Sequence, residues 1–289
     1  MGYAKQHATF VEDMDIHRTG AIGVFDSGYG GLTVLSEIKS KMPKYDFIYL
    51  GDNARTPYGN RSFERVYEFT LEAVKWFFKQ GCRLVILACN TASAKALRSI
   101  QQIDLPKIDL NNRVLGVIRP TAEYVSKLSQ SGHIGIMGTE GTIQSKSYEI
   151  EINKLHPQMI VTGEACPMWV PLVENREYNK PGADYFIKKH IDNILSKDPL
   201  IDTIILGCTH YPLLIEKIND CLPKGIRAIS QGKLVAESLK HYIERHPEID
   251  VLCTKDGTVT YFTTDSTTKF IEQASIFLNE EIVAKHVDL

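Results

Sequence analysis

The feature that most constrains this chain is an alternation. Short apolar, β-branched runs are separated by longer stretches of helical periodicity. The runs fall at 21–25, 47–50, 84–88, 114–118, 134–137, 159–161 and 203–206. They are nearly continuous in hydrophobicity, as strands buried on both faces of a parallel sheet must be. A sheet with one wet face would show apolar and polar residues in turn. Helical patterns lie between the runs at 32–41, 62–80, 92–101, 121–128, 143–154, 184–195 and 213–221. This rhythm predicts an α/β protein whose helices cover parallel sheets.

A chain of 289 residues has room for roughly two domains. Polar residues at 111–113 mark a first boundary and 223–227 a second, so that 21–112 and 113–227 form separate units. Beyond them, 233–245 and 267–278 read as helices and 258–262 as a strand. Residues 1–20 carry charges throughout and lack the apolar core of a secretory signal. They stand apart as an extension with no assigned role.

Composition serves mainly to exclude. Hydrophobic residues make up 43% and charged residues 24%, an ordinary globular balance that rules out disordered and coiled-coil readings. A net charge of −2 gives no field to hold nucleic acid or an anionic membrane surface. No apolar run approaches the ~20 residues that span a bilayer. The six cysteines contain no C-x-x-C pair and no zinc-finger spacing. A cytoplasmic protein with free thiols is the expectation.

Polar residues collect where the apolar runs end: Asp26-Ser27-Gly28, Gly51-Asp52-Asn53, Cys89-Asn90-Thr91, Gly138-Thr139 and Gly207-Cys208-Thr209-His210. Open α/β sheets bind ligands at the carboxyl ends of their strands, so these residues mark the expected site. A weak internal repeat runs through them. Val85-Ile86-Leu87-Ala88-Cys89-Asn90-Thr91 matches Ile204-Ile205-Leu206-Gly207-Cys208-Thr209-His210 in kind, roughly one domain length away. Two similar halves would set Cys89 and Cys208 on opposite walls of a cleft.

A buried cysteine usually packs as a small hydrophobe, and Cys82, Cys166, Cys221 and Cys253 have no neighbourhood that suggests more. Cys89 and Cys208 sit at strand-to-helix junctions, where a helix N-terminus favours thiolate. With His210 they supply three possible metal ligands, but without paired-ligand spacing. A thiol hydrolase needs one cysteine and one histidine and leaves the second cysteine unexplained. Racemisation uses both: one base removes a Cα proton from one face and a conjugate acid returns one to the other. A thiol pKa near ~8.5 suits either role once tuned. A dicarboxylate-binding module without catalysis and a thiol or metal-assisted hydrolase remain the alternatives.

Other residues carry two readings each. Gly28, Gly30 and Gly31 permit a tight turn, and their spacing is neither a dinucleotide fingerprint nor a P-loop. Asp26 is either a helix cap or a group of the cleft. His210 either caps a helix or polarises Cys208. Gly138-Thr139-Glu140-Gly141-Thr142 reads as a helix start whose hydroxyls serve the cap or a ligand carboxylate.

Taken in order, five segments resemble the glutamate racemases of the cofactor-independent aspartate/glutamate racemase family. They are Gly23-Val24-Phe25-Asp26-Ser27-Gly28-Tyr29-Gly30-Gly31, Gly51-Asp52 with Pro57-Tyr58-Gly59, Ala88-Cys89-Asn90-Thr91-Ala92-Ser93, Val170-Pro171-Leu172-Val173-Glu174 and Gly207-Cys208-Thr209-His210-Tyr211-Pro212. The resemblance spans about 21–279. Ser93, where aspartate racemases carry His, and His210 after the second Cys-Thr favour glutamate. Near Ser230-Gln231-Gly232 the chain departs from the family, which more often shows Ser-Gly after an acidic residue.

The resemblance implies two flavodoxin-like α/β domains related by a pseudo-twofold axis, with the site in the cleft between them. The C-terminal segment, 228–289, would rejoin the first domain. Cys89 and Cys208 would be the acid/base pair, with Cys208 acting on L-glutamate and Cys89 on D-glutamate. Asp26 would assist Cys89 and His210 would assist Cys208. Glu174 would join the catalytic set and Asp52 would support it. Asp26, Ser27, Tyr58, Gly59, Asn90 and Thr91 would bind substrate from one side. Thr139, Thr142, Thr209 and His210 would bind it from the other. The resemblance further implies no cofactor and no metal, L- and D-glutamate as the partners, a homodimer, and a product used in peptidoglycan synthesis.

Overall fold

Two parallel sheets organise the described residues. The computed structural model describes residues 19–278 and 280–289. Residues 1–18, most of the expected extension, and Asn279 lie outside the described residues. The first sheet holds β1 (Ile22–Asp26), β2 (Phe47–Gly51), β3 (Leu84–Leu87) and β4 (Arg113–Gly116). The second holds β5 (His133–Gly138), β6 (Ile160–Ala165), β7 (Thr203–Gly207) and β8 (Arg227–Ser230). The C-terminal β9 (Val259–Thr263) and β10 (Ala284–His286) return to the first sheet, giving the order β10-β9-β2-β1-β3-β4. The second sheet runs β6-β5-β7-β8. Both therefore share one core order: second strand, first, third, fourth.

The continuous hydrophobicity of the runs follows from this layering. Side chains alternate across a strand, and here both faces are covered. Ile22 and Val24 pack with Leu35, Ile38 and Val235 in one layer. Phe25, Val85 and Leu87 pack with Val74 and Phe77 in the other. Every residue of β1, β3 and β7 is buried.

Several elements differ from the sequence reading. β4, expected to open the second unit, forms the edge of the first sheet against β3. β8, whose residues 228–230 were expected to rejoin the first domain, lies instead at the edge of the second sheet, paired with β7. The chain thus crosses between sheets at 116–118 and 230–232, a few residues later than the polar stretches suggested. Those polar stretches are the loops that precede the two edge strands. The apolar run at 114–118 does not continue as a strand, because a helix starts at Ile118 and runs to Leu128. The helix expected at 92–101 starts at Asn90 and passes through a π turn at Ile100–Asp104. Pro106 lacks an N–H and its ring crowds the preceding turn, and the ladder widens just before it, with Leu105 N–H reaching the Ile100 carbonyl. The helix expected at 143–154 is two pieces, Glu140–Gln144 and Ser147–Leu155, broken where Lys146 takes φ 53. A short helix at Trp169–Glu174 and strand β10 gave no clear sequence signal.

Candidate active site

The cleft forms where the first and third strands of each sheet end. In this strand order the sheet's connections diverge between those two strands, and that is where α/β folds open a crevice. Ser27 directly follows β1 and Cys89 follows β3 with Ala88 between; Thr139 directly follows β5 and Cys208 directly follows β7. All four line one cavity of about 180 Å³. That is small beside the ~300–1,000 Å³ of common ligand pockets, so the cavity suits a ligand of amino-acid size.

Close approach of the halves depends on two glycines. A Cβ on Gly30 would stand 2.3 Å from Thr209 Oγ1 and 2.5 Å from His210 Nδ1. A Cβ on Gly59 would stand 2.9 Å from Thr139 Cβ, and the Gly59 carbonyl accepts a hydrogen bond from Gly141 N–H at 2.8 Å. The turn reading of Gly30 is thus incomplete, since its missing side chain makes room for the other half.

The two cysteines have unlike surroundings. Cys89 is buried, and its thiol donates to Ser27 Oγ at 3.4 Å. Burial, reinforced by the negative charge of Asp26, pushes its pKa up to about 12, which keeps it a thiol near neutrality. The helix N-terminus that should favour thiolate here is outweighed. On the other wall, Cys208 Sγ lies 3.9 Å from His210 Nδ1, and His210 Nε2 lies 3.1 Å from Glu174 Oε1. Burial opposes charge on His210, but hydrogen bonds to Cys208 and Glu174 outweigh it and push its pKa up to about 10. An imidazolium therefore stands beside Cys208. The short helix Trp169–Glu174, missed in the sequence, delivers Glu174 to this contact.

Asp26 is fully buried behind the cavity wall. It accepts hydrogen bonds from Gly28 N–H at 2.9 Å and Thr209 Oγ1 at 3.2 Å. Burial raises its pKa, partly offset by the charge of His210. Asp26 thus touches the residue beside Cys208 while its charge acts on Cys89. Tyr58 lines the cavity and donates its hydroxyl to Asp52, which also pairs with Arg55 at 2.7 Å and accepts from Thr264 at 2.8 Å. Asp52 therefore holds Tyr58 in place from behind. Thr91, Thr139 and Thr142 join hydroxyls across the cleft, at 3.0 Å for Thr91–Thr139 and 3.0 Å for Thr139–Thr142. Asn90, Gly59, Thr209 and His210 line the cavity as well; Thr142 stands just behind it.

Two expectations change in detail. Cys166 reads in the sequence as an ordinary buried thiol, yet it lines the cavity. It ends β6 much as Cys89 and Cys208 end their strands, so strand-end position was the signal that could have found it. Burial raises its pKa well above the ordinary thiol range, and it stays protonated. Glu140, Pro167 and Val170 complete a wall that the site list did not include. A larger cavity of about 540 Å³ opens beyond Ser93, lined by Arg98, Arg119 and Glu151 among others. Arg98 and Arg119 are already paired with Glu123 and Glu151, and neither Cys89 nor Cys208 lines it.

Comparisons with known proteins identify relatives of nearly the whole chain. The sequence pattern of the Asp/Glu/Hydantoin racemase family matches residues 31–239. A glutamate racemase of Ruegeria sp. is 39% identical over 272 residues, covering 91% of this chain and 98% of its own. The crystal structure of a Bacillus anthracis glutamate racemase superposes with TM-score 0.86 at 37% identity, covering 94% of this chain and 99% of that one. A Francisella tularensis glutamate racemase in complex with D-glutamate gives TM-score 0.82 at 30% identity, covering 94% and 98%.

Proposed function

This chain belongs to the Asp/Glu/hydantoin racemase family, and from that premise we propose that it interconverts L- and D-glutamate by proton transfer between Cys89 and Cys208. The observation that carries the proposal is the pair of cysteines at equivalent strand ends, lining one cavity with unlike charged neighbours. Cys208 removes the Cα proton of L-glutamate, and Cys89, held as a thiol, returns a proton to the opposite face. With D-glutamate the roles reverse. His210 supplies positive charge beside Cys208, and Glu174 keeps it charged. Asp26, by raising the Cys89 pKa, makes the Cys89 thiolate a stronger base towards the Cα proton of D-glutamate.

The Cα proton is weakly acidic, so negative charge building towards the α-carboxylate must be stabilised. Ser27, Asn90, Thr91, Thr139 and Thr209 line the cavity with hydroxyl, amide and backbone donors for that purpose. Tyr58, Gly59 and the hydroxyls of Thr139 and Thr142 serve the rest of the substrate. The cavity is small, with Cys89, Asn90, Thr91, Cys208 and Thr209 buried in its wall, and exclusion of water there strengthens their contacts. We infer by the same reading that the reaction uses no cofactor or metal. The enzyme would act as a cytoplasmic homodimer, and its D-glutamate would serve peptidoglycan synthesis. No described helix is long and apolar enough to cross a membrane.

The test is incubation with L-glutamate in heavy water without added cofactor, followed by optical rotation and by deuterium at Cα. Loss of rotation with Cα exchange is expected. Glutamate that keeps both its rotation and its Cα proton would overturn the proposal.

A further inference from the structure

Behind the cleft, a closed circuit of hydrogen bonds joins the two crossings to the residue that follows Cys89. Gln231 lies in the second crossing, between β8 and the helix Gly232–Arg245. Its Nε2 donates to Thr121 Oγ1 at 2.7 Å and to the Tyr148 hydroxyl. Tyr148 donates in turn to Asn90 Oδ1 at 2.6 Å, and Asn90 Nδ2 donates to Gln231 Oε1 at 2.9 Å. Thr121 passes its own hydroxyl hydrogen to the Val117 carbonyl, in the first crossing, at 3.1 Å. Gln231, Asn90, Tyr148 and Thr121 are all buried.

The Val117 carbonyl, 3.4 Å from Gln231 Nε2, can only accept, so the Gln231 NH₂ faces it and the circuit has one direction. Gln231 has two amide hydrogens and one carbonyl, and Tyr148 and Thr121 have one hydroxyl hydrogen each. Tyr148 spends its hydrogen on Asn90 and Thr121 on Val117, so both accept from Gln231. The Asn90 amide cannot flip without facing its own kind: its NH₂ would meet the Tyr148 donor and its carbonyl the Gln231 carbonyl. One Asn90 amide hydrogen remains outside the circuit, and Asn90 lines the cavity.

We propose that Gln231 is a positioning residue: it fixes the Asn90 amide so that its free hydrogen faces the substrate, and it couples that aim to the joint between the two halves. The proposal rests on the glutamate racemase reading for its catalytic readout. It extends that reading to a residue outside the cavity wall and unrelated to proton transfer.

A double-mutant cycle tests it. Gln231→Met keeps the volume and removes the circuit. It lowers kcat/KM for both enantiomers equally, by about tenfold, the usual scale for stranding buried polar partners. In an Asn90→Ala background the same change costs less than about twofold, because the group it positions is already gone. Tyr148→Phe opens the circuit from another element and follows the same pattern, so one misfolded variant does not end the test. Thermal unfolding of each variant separates lost stability from lost aim. A second readout needs no turnover. With ¹⁵N-labelled asparagine, the Asn90 amide protons exchange slowly in the wild type and lose that protection in Gln231→Met. Additive losses in the cycle, or unchanged protection, overturn the proposal. A wild type that does not turn over glutamate would fail the functional reading instead, and amide exchange would still decide the circuit.

Discussion

The two halves share a strand order and differ in charge. In each, a cysteine stands at the end of the third strand, opposite a hydroxyl at the end of the first. In the first half the thiol has a buried carboxylate nearby and holds its proton up to about 12. In the second, the cysteine stands beside an imidazolium that a carboxylate sustains up to about 10. One backbone plan, used twice, thus yields a proton donor on one wall and a cysteine beside an imidazolium on the other. A reaction that takes a proton from one face and returns it to the other needs that asymmetry in any single turnover.

The largest effect should come from breaking either wall. Cys89→Ser or Cys208→Ser should cut racemisation in both directions by at least the ~10²–10⁴-fold typical of a lost acid–base group, measured as initial rates from each pure enantiomer. Near-normal turnover in either variant would end the two-cysteine comparison.

Removing one helper at a time sharpens it. His210→Asn should lower kcat more from L-glutamate, and Asp26→Asn more from D-glutamate, each by about 10²-fold. Enantiomers are equally stable in free solution, so kcat/KM must stay equal in the two directions and KM must absorb the difference. Equal loss of kcat in both directions would refute the one-helper-per-cysteine assignment.

Forcing the halves apart should have an intermediate effect. Gly30→Ala places a methyl against Thr209 and His210, and overpacking of this kind costs about 1–3 kcal/mol. Denaturant midpoints should fall, together with activity from both enantiomers. Full activity with unchanged stability would mean that the contact is not needed.

The pH dependence is a finer probe. A raised His210 pKa adds stability that is full below the unfolded value near ~6.5, and this is lost as pH rises through about 10. Glu174→Gln removes one of the contacts that raise it. The alkaline limb of both stability and L-glutamate turnover should therefore move to lower pH, by about one unit. An unmoved limb would show that Glu174 does not sustain the charge. The smallest effect belongs to Cys221, half-buried and away from the cavity. Cys221→Ser should leave kcat/KM within about twofold, as surface substitutions usually do.

The alternation of apolar runs and helical patterns was enough to determine an α/β protein with parallel sheets, because burial on both faces leaves its mark within each short run. Cys89, Cys208, Ser27 and Thr139 were legible for a related reason: function at a strand end is written in contiguous residues. Edge strands were harder. β8 and β10 are short and partly exposed, so their apolar signal is weak. Cys166 was legible only in position, since nothing beside it in sequence marks it as part of a wall. Contacts between distant segments left no local trace. The Gly30 approach to His210, the Glu174 contact with it and the Asn90–Gln231 bond join segments far apart in the chain. That Cys89 holds its proton was likewise decided only by tertiary structure. Local sequence offers both cysteines the same strand-to-helix junction. His210 beside Cys208 is a local difference, but the carboxylates Asp26 and Glu174 arrive from distant segments, and the strength of every charge depends on burial that exists only once the two halves have met.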